Sequence, residues 1–289
     1  MDERAALALL ERELGPAGDD AAVVDGLVLT TDMLHETTDF PDGTTRYTAG
    51  WRAVGASLSD VAAMGAEATA AVAVYADTAF DAEELLAFVR GARDICERVG
   101  AAYVGGDLDE HREFTVVTTA LGRTDDPVPR SGARPGDVLC VTGTLGRSAA
   151  ALELFDRGAL ERANELFRFE PRVEAGLALA PHATAMMDSS DGLARSLHQL
   201  AEASDCGFAV DPSRVPIDET VRELADDETA LELATTFGED FELVCTLPPG
   251  SLEAAREGAD VPLSVVGEVV EEGVTMDGEP LADEGYTHG

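Results

Sequence analysis

Residues 123–137, RTDDPVPRSGARPGD, hold three prolines, two glycines and six charged side chains in fifteen positions. Proline supplies no backbone N–H and the residue before it avoids helical geometry, so such a stretch connects elements rather than forming one. It separates two differently patterned halves of a 289-residue chain and sets a boundary near residue 130, with units at 1–130 and 131–289.

Upstream, residues 2–14 carry Ala and Leu at helical spacing and stop at Gly15-Pro16. Two apolar runs, AAVV and LVLTT, flank Asp25-Gly26, a hairpin signal. Residues 48–64 and 81–99 read as helices and ATAAVAVYA and FTVVTTALG as strands, with AAYVGGD a strand running into a turn. Downstream, VLCVTG, TAMMD, CGFAV, FELVCTL and LSVVGEV read as strands. They alternate with helices from about 146 and near 191–203, 218–235 and 251–258, and ADDE and VEEG read as solvated loops. The order predicts a two-domain α/β (α+β) chain with layered sheets and helices.

Twenty basic against 57 acidic residues give a net charge of −37, and every basic residue is arginine. A field this negative repels nucleic acid and anionic membrane surfaces. Halophilic adaptation accounts for an acid-rich, lysine-free composition. Without lysine there is no Walker loop, kinase strand lysine or Schiff base, so any phosphate must be neutralised by metal ions, arginine and backbone N–H groups. The four cysteines lie far apart and predict neither a metal knuckle nor a disulfide framework. No apolar run approaches a membrane span and the N-terminus does not read as a secretion signal, so a cytoplasmic protein is expected.

Acids stand beside glycine or hydroxyl residues at five apolar-run ends: GDDAAVV (Asp19, Asp20), LTTD (Thr30, Thr31, Asp32), LSDVAAMGA (Asp60), YVGGDLD (Asp107) and MMDSSDGLA (Asp188, Ser190, Asp191). Each alone could be a turn or helix cap, as Asp188 and Asp191 could be for a helix beginning near 191. Together they describe an oxygen-only donor set suited to a hard cation such as Mg²⁺ with phosphate oxygens. VTGTLGRSAA lacks the G-x-G-x-x-G of a dinucleotide loop, and the five histidines show no ligand spacing.

In this order the segments GDDAAVV, LTTD, SLSDVAAMGA, YVGGD, RSGARPGD, VTGTLGRSAA, DSSDGLA and GEDFEL resemble the thiamine-monophosphate kinase family. Its superfamily includes aminoimidazole ribonucleotide synthetase and selenophosphate synthetase. The resemblance implies an N-terminal α/β domain whose sheet closes into a barrel with its mate across a homodimer. It also implies a C-terminal α/β layered domain and ATP-dependent phosphorylation of thiamine monophosphate. Asp20, Thr30, Thr31, Asp32, Asp60, Asp107, Asp188 and Asp191 would be Mg²⁺ ligands, and Thr30, Gly106, Arg130 and Ser190 would touch ATP. Asp39, Glu239 and Tyr286 would meet thiamine monophosphate, while Asp19 would support its loop. No catalytic side chain is implied, because the substrate's own phosphate, with a second pKa near ~6, is the nucleophile.

The chain departs from the family pattern in two places. Asp39 stands before Phe40 where the family commonly has histidine, and Phe237 precedes GED where it often has glycine. Either His35 reaches the site instead, or Asp39 faces the cationic thiazolium. Two other readings are a related synthetase of the superfamily, against which the missing lysine and missing N-terminal cysteine argue, and a non-catalytic acidic metal-binding scaffold.

Overall fold

The computed structural model describes residues 9, 10, 13, 14 and 18–285. The helix expected over residues 2–14 falls mostly outside the described residues, and Tyr286 lies wholly outside them. β1 (Ala22–Val24) and β2 (Leu27–His35) form the expected hairpin, with Asp25 and Gly26 at φ 53° and 77°, the left-handed pair that a two-residue turn of this kind requires. A five-stranded sheet follows in the order β1, β2, β5 (Thr115–Arg123), β3 (Glu67–Asp77), β4 (Ala102–Glu110). Only β3 and β4 run parallel, and α3 (Ala82–Arg98) makes the crossover between them.

Between β2 and β3 in the chain come the single turn α1 (Glu36–Asp39) and the long helix α2 (Arg46–Ala63), which lies on one face of the sheet. Thr45 caps α2 by accepting the Thr48 N–H, and fourteen of the eighteen α2 residues are buried. Small residues allow this depth: a Cβ on Gly50 would sit 2.2 Å from the Phe88 carbonyl oxygen, and one on Gly91 2.0 Å from that of Tyr47. Helices α2 and α3 therefore cross backbone to backbone. No other element among the described residues covers the sheet's other face, leaving Leu29, Met33 and Val104 between 47% and 64% exposed.

The second sheet runs β12 (Glu279–Pro280), β11 (Val274–Met276), β8 (Gly207–Val210), β10 (Leu263–Val270), β6 (Val138–Thr142), β9 (Leu243–Leu247), β7 (Ala185–Asp188). Around it stand α4 (Arg147–Asp156), α5 (Leu160–Phe167), α6 (Val173–Leu179), α7 (Leu193–Ser204), α8 (Glu219–Leu224), α9 (Asp227–Thr236) and α10 (Leu252–Gly258). A Cβ on Gly176 of α6 would lie 2.3 Å from the Ala62 carbonyl of α2. One hydrophobic core thus runs from Val28, Leu58 and Phe114 through Leu179 to Met186 and Leu243.

Three expectations change. The helix expected over 218–235 is two helices, because Asp226 starts a new one by accepting the Thr229 N–H. ADDE is accordingly a cap and first turn rather than a loop. β4 does not turn at Gly105-Gly106 but continues to Glu110. A Cβ at Gly106 would fall 1.7 Å from the Ala73 carbonyl oxygen, so only glycine lets β4 pair there. Among the described residues no helix is long and apolar enough to cross a membrane.

Candidate active site

Asp20 follows the loop into β1, Asp60 lies near the end of α2, and Asp188 ends β7. These three elements converge so that one carboxylate oxygen from each lies within 4.8 Å of the others. Like charges this close, buried, resist ionising together. Burial, then Asp20, pushes Asp188 up to about 8. Burial, then Asp32, raises Asp60 as well.

Neighbours partly offset the repulsion. Thr30 Oγ1 donates to Asp60 Oδ2 at 2.5 Å, and Ser57 Oγ donates to Asp32 Oδ2. Arg130 forks onto Asp20, with Nε and an η-nitrogen at 3.1 and 2.9 Å from its two oxygens. Asp20, Asp188 and Asp60 in turn raise the Arg130 guanidinium pKa against its burial. Asp188 Oδ2 is buried and has no hydrogen-bond partner among the described residues. An orphaned carboxylate oxygen among converging acids, with a threonine hydroxyl beside them, is the donor set a hard divalent cation takes. Magnesium fits these residues.

The strand period of two sorts the remaining expected ligands. Thr30 and Asp32 share the β2 face that meets α2, while Thr31 points to the uncovered face and donates to the Thr118 carbonyl at 2.8 Å. Gly106 and Asp107 lie on β4, three strands from β2, about 14 Å at ordinary strand spacing. One chain therefore does not bring them to the three aspartates. Asp19 Oδ1 accepts the Arg130 N–H at 2.8 Å, bracing the loop.

Asp188 and Asp191 are not caps: α7 begins at Leu193 with Gly192 at its N-cap, φ 100°, and no side chain capping it. The backbone of this turn is stitched to GEDFEL, since Glu239 N–H donates to the Ser190 carbonyl at 2.6 Å and Ser189 N–H to that of Glu242 at 2.8 Å.

A cavity of about 270 Å³ lies between the two halves, walled by Asp39, Phe40, Asp156, Phe167, Phe237 and Glu239 among others. Both positions at which the sequence departs from the family pattern thus face one space. Asp39 Oδ2 accepts the His35 N–H and the Thr38 hydroxyl, each at 2.7 Å. His35 does not line the cavity; its ring Nδ1 is 3.2 Å from Thr115 Oγ1. Sequence reading missed Ser57, Arg52 and Asp156. Ser57 stands one turn before Asp60 on the same helix, a spacing that would have revealed it.

Two family models, the AIR synthase related protein N-terminal and C-terminal domains, match residues 18–124 and 134–277. The chain is 63% identical to thiamine-monophosphate kinase of Halobacterium salinarum over the full length of both. It is 41% identical to that of Methanospirillum hungatei, over 100% of this chain and 99% of the relative. Among solved structures, AaThiL complexed with AMPPCP and TMP superposes with a TM-score of 0.89 at 28% identity, covering 99% and 97% of the two chains. With two family models spanning most of the chain and 63% and 41% identity end to end, the chain belongs to the thiamine-monophosphate kinase family of AIR synthase related proteins.

Proposed function

We propose that this chain transfers the γ-phosphoryl group of ATP to the phosphate of thiamine monophosphate, with magnesium held by Asp20, Asp60 and Asp188. The observation that carries the reading is the buried aspartate centre, with its unpartnered Asp188 oxygen, joined through the GEDFEL segment to an acidic, aromatic cavity. Magnesium, when bound, supplies the positive charge that lets two polyanions approach in line. Asp32, held by Ser57, and Asp191 extend the donor set. Arg130 and Ser190 reach the nucleotide phosphates, and the forked guanidinium matches phosphate as well as carboxylate. The acceptor phosphate is already largely dianionic at neutral pH, so no side chain need remove a proton.

In the cavity, the carboxylates of Asp39, Asp156 and Glu239 offset the thiazolium charge, and Phe167 and Phe237 give it aromatic walls. This favours Asp39 over His35 as the substrate contact. Residues 1–130 form the nucleotide and dimerisation unit, and 131–289 add Asp188, Asp191 and Glu239. Two chains pack through the uncovered sheet face into a barrel, so that Gly106, Asp107 and Thr31 complete a nucleotide site shared between partners. The exposed Leu29, Met33 and Val104 support that packing. The reaction belongs to the cytoplasm.

ADP release at molar salt, measured with a panel of phosphate acceptors, tests the assignment. Turnover that requires both thiamine monophosphate and Mg²⁺ is expected. Turnover only with another acceptor, or none with any, contradicts it.

A further inference from the structure

The acids of GEDFEL have different partners, and the difference singles out a residue outside the expected site. Asp240 accepts the Gly146 and Ser148 N–H groups at 2.5 and 2.8 Å, at the start of α4. Glu242 takes a fork from Arg172 at 2.7 and 2.5 Å and the Thr142 hydroxyl at 2.7 Å. Both are spent within the second half of the chain. Glu239 alone lines the cavity, and its carboxylate is held from the first half, by Arg52 of α2 at 2.5 Å.

Arg52 is 1% exposed and its Nε has no hydrogen-bond partner among the described residues, so the η-nitrogens carry its hydrogen bonds. Its η-nitrogens donate to the Phe167 carbonyl at 2.8 Å and to the Glu239 carbonyl at 3.0 Å. The guanidinium carbon stacks 3.7 Å from the Phe167 ring centroid and is flanked by Phe169 and Phe241, themselves stacked at 4.2 Å. Arg52 therefore grips both the side chain and the backbone of Glu239. That backbone needs a grip: Glu239 and Phe241 hold φ of 64° and 55°, left-handed values that side-chain-bearing residues avoid unless their surroundings impose them. Eight residues on, about 12 Å along the same helix, stands Asp60 of the aspartate centre.

We propose that Arg52 is a positioning residue for the acceptor. It fixes the Glu239 carboxylate in the cavity wall and ties that wall to α2, the helix that presents Asp60. This rests on the reading of the cavity as the acceptor site. It assigns Arg52 no contact with substrate, so its effect must pass through Glu239.

A double-mutant cycle read on KM separates this from a purely structural ion pair. Arg52→Gln and Glu239→Gln should each raise the KM for thiamine monophosphate about ten-fold or more, with the KM for ATP within about two-fold of the parent. The double variant should be no worse than either single one, and Arg52→Lys should recover most of the loss. If Arg52→Gln fails to fold, Arg52→Lys carries the same cycle: any rise it causes should vanish in the Glu239→Gln background. Effects that multiply in the double variant, or KM values for both substrates rising together, overturn the proposal. An unchanged acceptor KM in Glu239→Gln overturns the acceptor reading itself, and the proposal with it.

Discussion

At the scale of single residues, the aspartate centre sets the sharpest expectations. Asp60→Asn and Asp188→Asn keep the shape but remove the charge a cation needs, and each should lower kcat/KM at least about 10³-fold in the ADP assay. Asp188, pushed up to about 8 by burial and then Asp20, also gives a pH signature. Its unfolded value is about 3.9, so the folded state holds a proton there that the unfolded chain releases. Linkage makes that contribution to stability complete below pH ~4 and lost as pH rises toward about 8. In chelator, the melting temperature should fall with pH across this window more steeply than in Asp188→Asn, and Mg²⁺ should flatten the slope. Much of this was legible: acids beside glycine and hydroxyls at strand ends named Asp20, Asp60 and Asp188. Thr30 and Thr31 were both expected as ligands, although strand period alone sets them on opposite faces. Asp156 was not legible, because nothing local in a helix C-terminus says which cavity it will face.

At the scale of elements, the strands and most helices followed their periodicities, and the misses have local causes. α5 and α6 are only eight and seven residues long, too short for a period to declare itself. The break at Asp226 follows a cap that looks like any other acid in a chain with 57 of them. β4 reads as a turn because its paired glycines mimic one, whereas the backbone of β3 requires the second of them, Gly106. Gly106→Ala would drive a Cβ into the Ala73 carbonyl, so urea unfolding should show a loss of about 2–4 kcal/mol. Gly105→Ala meets no atom within 4 Å and should cost less. α2 carries more function than its apolar pattern discloses, since it holds Arg52, Ser57 and Asp60 in three successive turns.

At the scale of the molecule, a net charge of −37 borne by 57 acids and 20 arginines dominates. Self-repulsion is screened over about 10 Å at 0.1 M salt and about 3 Å at 1 M, so the melting temperature should climb steadily into the molar range. The fold gathers its aspartate centre and cavity from both halves and leaves Gly106 and Asp107 three strands from β2, so the proposed shared site predicts complementation between chains. Mixing inactive Asp60→Asn and Asp107→Asn chains should then restore about one quarter of parental activity, through heterodimers with one intact site. No recovery on mixing would place each site within one chain.

The central claim is that the γ-phosphoryl group of ATP reaches thiamine monophosphate at the three converging aspartates. Following γ-³²P from ATP at molar salt with Mg²⁺ tests it directly. Label is expected in thiamine diphosphate with the parent chain and absent with Asp188→Asn. Label released as inorganic phosphate, or thiamine diphosphate formed equally well by Asp188→Asn, would contradict it.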